Sequence, residues 1–504
     1  PDQTIFPAGA RLGPVQGWAA SGVRGWDNSR WIPLLASYDR YGRPRGSAGS
    51  LKINYAGFYN GSAWGYFGVE DRDLFDGKDP ALRKGLQRLV AFMVRGAYLR
   101  NLESDSTSYA PGNPVRLKVT VENRGAARQQ GSVLFRVLSG GKELMRKSIP
   151  VAADSGSAAQ AEASFTLPAG AAGLCRMTAA LSLGGEVVDT MESGFVALSP
   201  RVAARGPVLR YRDNYLCYGD RPLFLFGCDN YSNVYRSSTE GPLWWAREHA
   251  ACRDFGFEIY ENLQYNNPGY VMKEEDWRRF AGMAQSTQEH GLVFMPGTLI
   301  GQNVAISDAN VKEQSRLCKE YAAHLKETPG LLWYINGDYS LKHEDKDALR
   351  LKWNAFLKER YGTDEKLKAA WAPDVPPALL GELPFPPANP GRWACVSQID
   401  LLRFHVRLMT DWNRSHVAGI RSEDRDHPIT SEYYSSPFNG VDLRLTIDGQ
   451  DVSNVGYFDE PVRDIDYLPL RLRWNDLRAH GKSVSLGEYG VKTHPAWAVS
   501  NGGR

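Results

Sequence analysis

The sequence predicts a multidomain α/β protein in which a (β/α)8 barrel at 205–504 follows an immunoglobulin-like β-sandwich at 101–204 and an N-terminal α/β segment at 1–100. Three observations support this prediction. The chain has 504 residues, more than one hydrophobic core usually organises. The stretch 101–199 alternates apolar and polar residues between Gly, Asn and Pro turns. After residue 205, short apolar runs alternate with helical patterns, which is typical of a parallel sheet.

The two segments before the barrel differ in pattern. The first is rich in Gly, Trp and Tyr and ends in a helical stretch, DPALRKGLQRLVAFMVRGAYL, so we interpret it as the closing part of a larger module. The second contains alternating strands such as VRLKVTVENRG and AEASFTLPAG, which favour an immunoglobulin-like sandwich. The stretch SPRVAARGP marks the boundary to the barrel.

Seven strands, all expected to be parallel, are predicted in the barrel region. No eighth strand is evident before Arg504. The predicted strands are PLFLFGCDN, FEIYENLQY, LVFMPGTLIGQ, LLWYINGDYS, HPITSEYY, VSNVGYFDEP and SVSLGEYG.

The composition excludes several classes of partner. Lys and Arg number 60 against 57 Asp and Glu, so the formal charge is only +3 and no basic footprint for nucleic acid or an anionic membrane is expected. No run of apolar residues is long enough to span a membrane. The 14 Trp and 24 Tyr offer flat apolar faces of the kind that sugar-binding clefts use.

No metal or cofactor is expected from the motifs. The nine His residues show no HExxH or His-x-His spacing, and the phosphate-binding, dinucleotide-binding and serine-hydrolase motifs are missing from the sequence. The six Cys residues contain no CxxC pair and no regular spacing, which argues against a zinc module or a disulfide scaffold. The cysteine pattern does not indicate whether the protein works in an oxidising or a reducing compartment.

Polar residues end nearly every predicted barrel strand. Because the carboxyl ends of barrel strands open onto one face, we expect these residues to line a shared cleft. They are Asp229 and Asn230, Glu261 and Asn262, Gln302 and Asn303, Asn336 and Asp338, Glu432 and Tyr433, Tyr457 and Asp459, and Glu488 and Tyr489.

Two of these strand ends carry the carboxyl groups that glycosidic bond cleavage needs. Such a reaction uses one carboxylic acid to protonate the departing oxygen and one carboxylate to attack or stabilise the sugar carbon. Asp338 ends the fourth strand and Glu488 ends the seventh, and a closed barrel would bring them across the pocket from each other. A separation of roughly 5–5.5 Å between the carboxyl groups would favour retention of configuration.

The barrel region resembles the superfamily of retaining β-glycosidases that includes the bacterial β-galactosidases. GLLWYINGDYS is similar to the superfamily's fourth-strand motif, a Trp-containing strand that ends in Asn-Glu, and NAFLKERYGTDEKLKAAW resembles the helix after it. SVSLGEYGVKTHPAW resembles the nucleophile strand. The resemblance implies that Glu488 is the nucleophile, that Asp338 is the acid/base, that Tyr457 hydrogen-bonds the nucleophile and that Trp497 is a sugar platform.

The sequence departs from the superfamily pattern at the acid/base. Where the pattern has Asn-Glu, this chain has Gly337-Asp338, so the acid is one methylene shorter and the Asn that contacts the sugar 2-hydroxyl is replaced. Asn336 is a candidate substitute for that Asn. Glu432 and Glu261 stay open as alternative proton donors.

The expected function is therefore hydrolysis of a plant, algal or host polysaccharide, or of oligosaccharides released from one, by a secreted or periplasmic enzyme without a cofactor. A non-catalytic carbohydrate-binding protein on a degenerate barrel is the alternative, and a barrel lyase or isomerase is a weaker third. A homo-oligomer stays open. The expected substrate-binding residues are Asp229, Asn230, Glu261, Asn262, Asn336, Glu432, Tyr433, Tyr457 and Trp497.

Overall fold

The computed structural model describes most of the chain. The described residues are 29–38, 40, 44–68, 79–228, 230, 234, 241–262, 265–266, 271–297, 299–300, 307–335, 345–374, 378–386, 395–431, 447–458, 468–479 and 481–490, with backbone alone at 44–45, 265–266, 299–300, 455–458 and 488–490.

The chain divides into two compact units. The first comprises Pro1–Ser199 with Tyr235–Arg247, and the second comprises Pro200–Val234 with Glu248–Arg504. The first unit contains most of both segments predicted before residue 205, and the three-part division itself stays a prediction.

The described residues before 200 form eleven strands and one helix. They are β1 (Ser29–Tyr38), β2 (Pro44–Asn54), β3 (Ala63–Phe67), α1 (Pro80–Arg95), β4 (Ala97–Ser104), β5 (Ser108–Tyr109), β6 (Pro114–Asn123), β7 (Gln129–Ser139), β8 (Lys142–Ala153), β9 (Ser157–Thr166), β10 (Gly173–Leu183) and β11 (Glu186–Ala197).

Helix α1 packs on the antiparallel sheet β1–β2–β3. The helix begins where the Asp79 carboxylate accepts a hydrogen bond of 2.7 Å from the Ala81 amide, and it ends at Gly96, whose φ of 65° suits glycine. The apolar side chains between them include Ile32, Leu51, Ile53, Leu89 and Phe92.

Strands β4 to β11 form a β-sandwich. One sheet has the order β5-β11-β10-β7-β8 and the other has the order β4-β6-β9. Alternate residues of each strand are buried, as in β10, and the inner faces share one apolar core that includes Val119, Phe135, Met177 and Phe195. The immunoglobulin-like assignment of this two-sheet sandwich stays a prediction.

The remaining strands and helices lie between Pro200 and Gly490. They are α2 (Pro200–Ala203), β12 (Leu209–Arg212), β13 (Tyr215–Tyr218), β14 (Arg221–Leu223), β15 (Gly227–Cys228), α3 (Pro242–Asp254), β16 (Ile259–Asn262), β17 (Tyr265–Asn266), α4 (Glu274–Glu289), β18 (Val293–Pro296), β19 (Leu299–Ile300), α5 (Asp308–Leu325), β20 (Trp333–Tyr334), α6 (Lys346–Tyr361), α7 (Asp364–Trp371), α8 (Val396–Arg421), β21 (Ile429–Thr430), β22 (Val452–Phe458), α9 (Leu468–Arg478) and β23 (Ser483–Gly490).

Seven of these strands, β15, β16, β18, β20, β21, β22 and β23, neighbour one another in chain order. Strands β15, β16 and β18 form one parallel sheet, and parallel bridges continue it to β20. Strand β20 pairs in parallel with β21, and β22 pairs in parallel with β23. The Asp451 amide, just before β22, donates a hydrogen bond of 2.8 Å to the carbonyl of Ile429 in β21. The described part of the chain is thus an α/β fold with a parallel sheet, and an eighth strand is not among the described residues.

A small antiparallel sheet, β12–β13–β14, closes the amino-terminal end of the parallel sheet. The Leu209 amide donates to the Pro329 carbonyl at 2.8 Å, and the Ser483 amide donates to the Tyr211 hydroxyl at 2.9 Å. Because this small sheet contacts the chain just before β20 and the start of β23, the parallel sheet curves around it. The shared apolar cluster comprises Leu209, Leu216, Tyr218, Leu223, Leu225, Ile259, Val293, Met295, Leu332 and Tyr334.

The first predicted barrel strand was wrong in extent. Instead of one strand over 222–230, Arg221–Leu223 forms β14 of the small sheet and only Gly227–Cys228 pairs with β16. The reason is packing, because Leu223 and Leu225 are drawn into the apolar cluster at the amino-terminal end.

The opposite face of the parallel sheet packs on helices. Tyr260 of β16 lies 4.2 Å from the ring of His249 in α3, and burial lowers the pKa of His249 to about 3, so this imidazole is neutral. The Trp333 indole donates to the Asp424 carboxylate at 2.8 Å. Residues that alternate with Tyr260 and Trp333 therefore point to the inner face, where Ile259, Leu332 and Tyr334 meet the small sheet.

Candidate functional site

Glu261 lies on the inner face of the sheet. It is two residues after Ile259 in β16, so both side chains share the face that meets the small sheet, and Glu261 pairs in register with Met295. Its side chain is buried, with 6% of its surface exposed. A carboxyl group therefore lies on the inner face beside Met295 of the apolar cluster, and the predicted role of Glu261 in the cleft stays a prediction.

Asn262, the last residue of β16, organises the segment after β15. It is fully buried, and its Oδ1 accepts a hydrogen bond of 3.0 Å from the Val234 amide. Its backbone carbonyl accepts from the Gly297 amide at 3.0 Å. Within the described residues its Nδ2 has no hydrogen-bond partner. The side chain thus fixes the segment after β15 at the end of β16, while the backbone carbonyl joins β16 to the residue after β18. The predicted role of Asn262 in substrate binding stays a prediction.

Asn230 lies next to the end of β15. Its Nδ2 donates to the Cys228 sulfur at 3.2 Å, and the residue is partly buried. This contact orients the Asn230 side chain against its own strand rather than leaving it to move with solvent.

Glu488 and Tyr457 lie on adjacent parallel strands. Glu488 in β23 is opposite Gly456 of β22, and Tyr457, the next residue of β22, is opposite Tyr489. The backbones of the two candidate residues are therefore neighbours, one residue apart in register. Both stand at the carboxyl ends of their strands.

A β-bulge immediately precedes Glu488. Val455 is opposite Leu486 and Gly456 is opposite Glu488, so Gly487 is an extra residue in β23. A Cβ on Gly487 would lie 3.0 Å from Cγ and Nδ2 of Asn454. A bulge interrupts the regular pairing of a strand, and this one adjoins the backbone of the candidate nucleophile.

Asn454 holds the position opposite this bulge. It is buried, and its Nδ2 donates to the Ser431 carbonyl at the end of β21. Three buried polar atoms near it, the hydroxyls of Ser431 and Ser453 and the Oδ1 of Asn454, have no hydrogen-bond partner within the described part of the chain. Buried polar groups without partners are rare, and they are typical of places where water or a ligand binds.

Replacing Gly487 with alanine is expected to lower the free energy of unfolding by about 1–3 kcal/mol, because the new methyl group meets an Asn454 amide that is already fixed by Ser431. Urea denaturation of the variant measures this loss. Gly170→Ala is the control, since a Cβ there meets no atom within 4 Å.

A double-mutant cycle identifies the cause. Combining Gly487→Ala with Asn454→Ala removes the two atoms at 3.0 Å, so the double variant should lose less stability than the sum of the single variants. Strict additivity would contradict the proposed contact.

Sequence reasoning did not single out Asn454 or Ser431. The only local signal was the Ser453-Asn454 pair inside an otherwise apolar strand, VSNVGYF. The site residues Asp229, Asn336, Asp338, Glu432, Tyr433 and Trp497 lie outside the described residues, and their roles stay predictions.

The site therefore belongs to an α/β protein whose polar groups gather at the carboxyl ends of a curved parallel sheet. Residues 300–479 match the sequence model of a family described as β-galactosidase. This range includes Asp338, Glu432 and Tyr457 and ends nine residues before Glu488. The match supports a glycoside hydrolase. No curated protein matches the chain.

Several solved structures are similar to the chain at low identity. A β-galacturonidase from Eisenbergiella tayi bound to glycerol is 12% identical, with 80% of this chain and 58% of that chain covered and a TM-score of 0.33. A β-galactosidase from the psychrophilic Marinomonas ef1 is 14% identical, with 52% and 48% covered and a TM-score of 0.41. A β-galactosidase from Bacillus circulans sp. alkalophilus is 14% identical, with 50% and 42% covered and a TM-score of 0.42. The chain spans less than two thirds of these proteins' length. Among the described helices, none combines the length and the apolar character needed to cross a membrane.

Proposed function

We propose that this chain is a retaining glycoside hydrolase of β-galactosidase type that cleaves O-glycosidic bonds in oligosaccharides or polysaccharides. The observation that carries the proposal is the coincidence of two findings. The β-galactosidase family match covers 300–479, and the curved parallel sheet in that region continues to β23, which carries Glu488 next to the strand of Tyr457.

The proposal includes closure of the sheet into a (β/α)8 barrel. Seven strands that neighbour one another in chain order support it, with parallel pairing from β15 to β21 and between β22 and β23, since this order is the one that a barrel requires. The small sheet at the amino-terminal end supports it as well, because it meets the inner side of β16, β18 and β20 and the start of β23.

In the proposed mechanism Glu488 attacks the anomeric carbon while Asp338 donates its proton to the departing oxygen. This breaks the glycosidic bond and forms a covalent glycosyl-enzyme ester. Asp338, now a carboxylate, then accepts a proton from water as the water oxygen attacks the same carbon, and this releases the sugar with retained configuration. The step requires carboxyl groups roughly 5–5.5 Å apart.

The other candidate residues would bind the sugar. Glu261 supplies a buried carboxylate on the inner face, where it can accept hydrogen bonds from sugar hydroxyls. We assign sugar binding also to the candidates that lie outside the described residues, and Trp497 among them would be an apolar platform. Tyr457 would donate a hydrogen bond to the nucleophile. No cofactor takes part in the proposed reaction. A secreted or periplasmic location also belongs to the proposal, and assembly into a homo-oligomer stays open.

A non-catalytic carbohydrate-binding protein is the second candidate. The observation that favours it is Gly337-Asp338, where the resembled superfamily has Asn-Glu at the acid/base. A carboxylic acid that is one methylene shorter would weaken proton donation, because the carboxyl group must lie within hydrogen-bond reach of the departing oxygen.

Turnover of a panel of 4-nitrophenyl glycosides separates the two candidates. We expect hydrolysis of the β-galactoside, and proton NMR of the first product should show the β-anomer before mutarotation. The α-anomer would exclude retention. Binding of galactosides or polysaccharides without turnover of any glycoside in the panel would exclude the hydrolase and leave the binding protein.

A further inference from the structure

Two cysteine thiols lie in contact beside the candidate site. Cys228 is the last residue of β15 and Cys252 lies in the final turn of α3, and their sulfur atoms are 3.2 Å apart. Both belong to the second unit, and 24 residues of sequence separate them. Neither is in a disulfide.

The two thiols differ in access. Cys228 is partly exposed, whereas Cys252 has only 8% of its surface exposed. Their mutual hydrogen bond, together with burial, raises the pKa of the Cys252 thiol. An oxidant in solvent would therefore meet Cys228 first, with Cys252 directly behind it.

The two sulfur atoms are close to the separation that a disulfide requires. A disulfide has an S–S distance of about 2.05 Å, so the sulfur atoms must approach by roughly 1 Å. Strand β15 pairs through only two residues, Gly227 and Cys228, and Cys252 is two residues from the end of its helix. Neither residue lies in the middle of a long element, so we expect small movements of both to bring the sulfur atoms together.

We propose that Cys228 and Cys252 form a reversible intramolecular disulfide when the protein meets a small-molecule disulfide. The Cys228 thiolate attacks one sulfur of oxidised glutathione, forms a mixed disulfide and releases one glutathione thiolate. The Cys252 thiolate then attacks the Cys228 sulfur and releases the second glutathione. Two protein thiols are oxidised, two glutathione molecules are produced, and the two protons go to the glutathione thiolates.

The disulfide links the end of β15 to α3. It closes a loop that includes Asp229 and Asn230, which are candidate substrate-binding residues, and Val234, whose amide is held by Asn262. Closing such a loop restricts the unfolded chain, so the oxidised protein should melt about 5 °C higher than the reduced protein. The disulfide does not depend on the proposed hydrolase activity, because both thiols are present whatever the site binds.

The test incubates the folded full chain with mixtures of reduced and oxidised glutathione, followed by alkylation, tryptic digestion and mass spectrometry. We expect the folded protein to lose two of its six titratable thiols and 2 Da of mass. The peptide 248–253, EHAACR, should be linked to the peptide 213–236. Cys228→Ser should abolish both the link and the change in melting temperature.

Cys217→Ser is the matched control, since Cys217 lies in the same tryptic peptide as Cys228 but donates to the Arg210 carbonyl instead. This variant should form the link as readily as the parent chain. Six alkylated thiols after oxidation of the folded protein, or a link that survives Cys228→Ser, would overturn the proposal. So would a link that forms only after denaturation in urea.

Discussion

Replacing Glu488 with glutamine is expected to lower kcat for an aryl β-galactoside by at least about 10³-fold, a loss of ~4 kcal/mol of transition-state stabilisation. The amide cannot attack the anomeric carbon, so no glycosyl-enzyme forms. The change keeps the size of the side chain, which matters because the preceding Gly487 bulge is tightly packed against Asn454. Steady-state kinetics measures the loss.

Chemical rescue separates the nucleophile from a residue that only supports the fold. In Glu488→Ala, added azide should restore turnover and yield the α-glycosyl azide, since the small anion takes the place of the missing carboxylate. Glu359→Gln is the control, because Glu359 forms an exposed ion pair with Arg407. Full activity in Glu488→Gln would exclude Glu488 as the nucleophile. Formation of the β-glycosyl azide by Glu488→Ala would exclude it as well.

The second large effect is expected at Asp338 and depends on the leaving group. In Asp338→Asn, kcat/KM for a glycoside with a poor leaving group, such as a methyl glycoside or a disaccharide, should fall about 10²–10⁴-fold. An acidic phenol leaves as the phenolate without protonation. The kcat/KM for a glycoside of such a phenol should therefore fall much less. The variant's activity should also lose its decline at high pH, because no acid remains to be deprotonated.

The same measurement in Glu261→Gln and Glu432→Gln tests the alternative proton donors. If one of them shows the leaving-group dependence and Asp338→Asn does not, the acid is assigned to that residue. Equal losses for all leaving groups in Asp338→Asn would indicate sugar binding rather than proton donation.

The sequence predicted the parallel sheet because its strands carry strong local signals. FEIYENLQY and SVSLGEYG alternate or cluster β-forming residues, and the polar residues that end them mark the carboxyl edge of the sheet. The small sheet β12–β13–β14 was missed, since its strands are three or four residues long and their polar residues resemble a loop. Its existence depends on Leu209, Leu223 and Leu225 meeting Val293 and Leu332, which are far away in the sequence.

The contacts around the candidate site could not be predicted from the sequence either. Asn454 lies opposite Gly487 only because β22 and β23 pair in one particular register, and local pattern does not specify register. The Cys228–Cys252 contact similarly depends on how α3 lies against β15. Spacing along the chain therefore predicted which residues could react, while pairing between strands determined which of them are neighbours.

The small antiparallel sheet has a practical consequence for shortened versions of this protein. A chain that starts at residue 224 would keep every strand of the parallel sheet yet leave Ile259, Val293, Met295 and Leu332 without their apolar covering. Water would then reach the underside of the sheet, and the uncovered patch would favour self-association. Protein engineers who wish to isolate the second unit should therefore begin it ahead of Leu209.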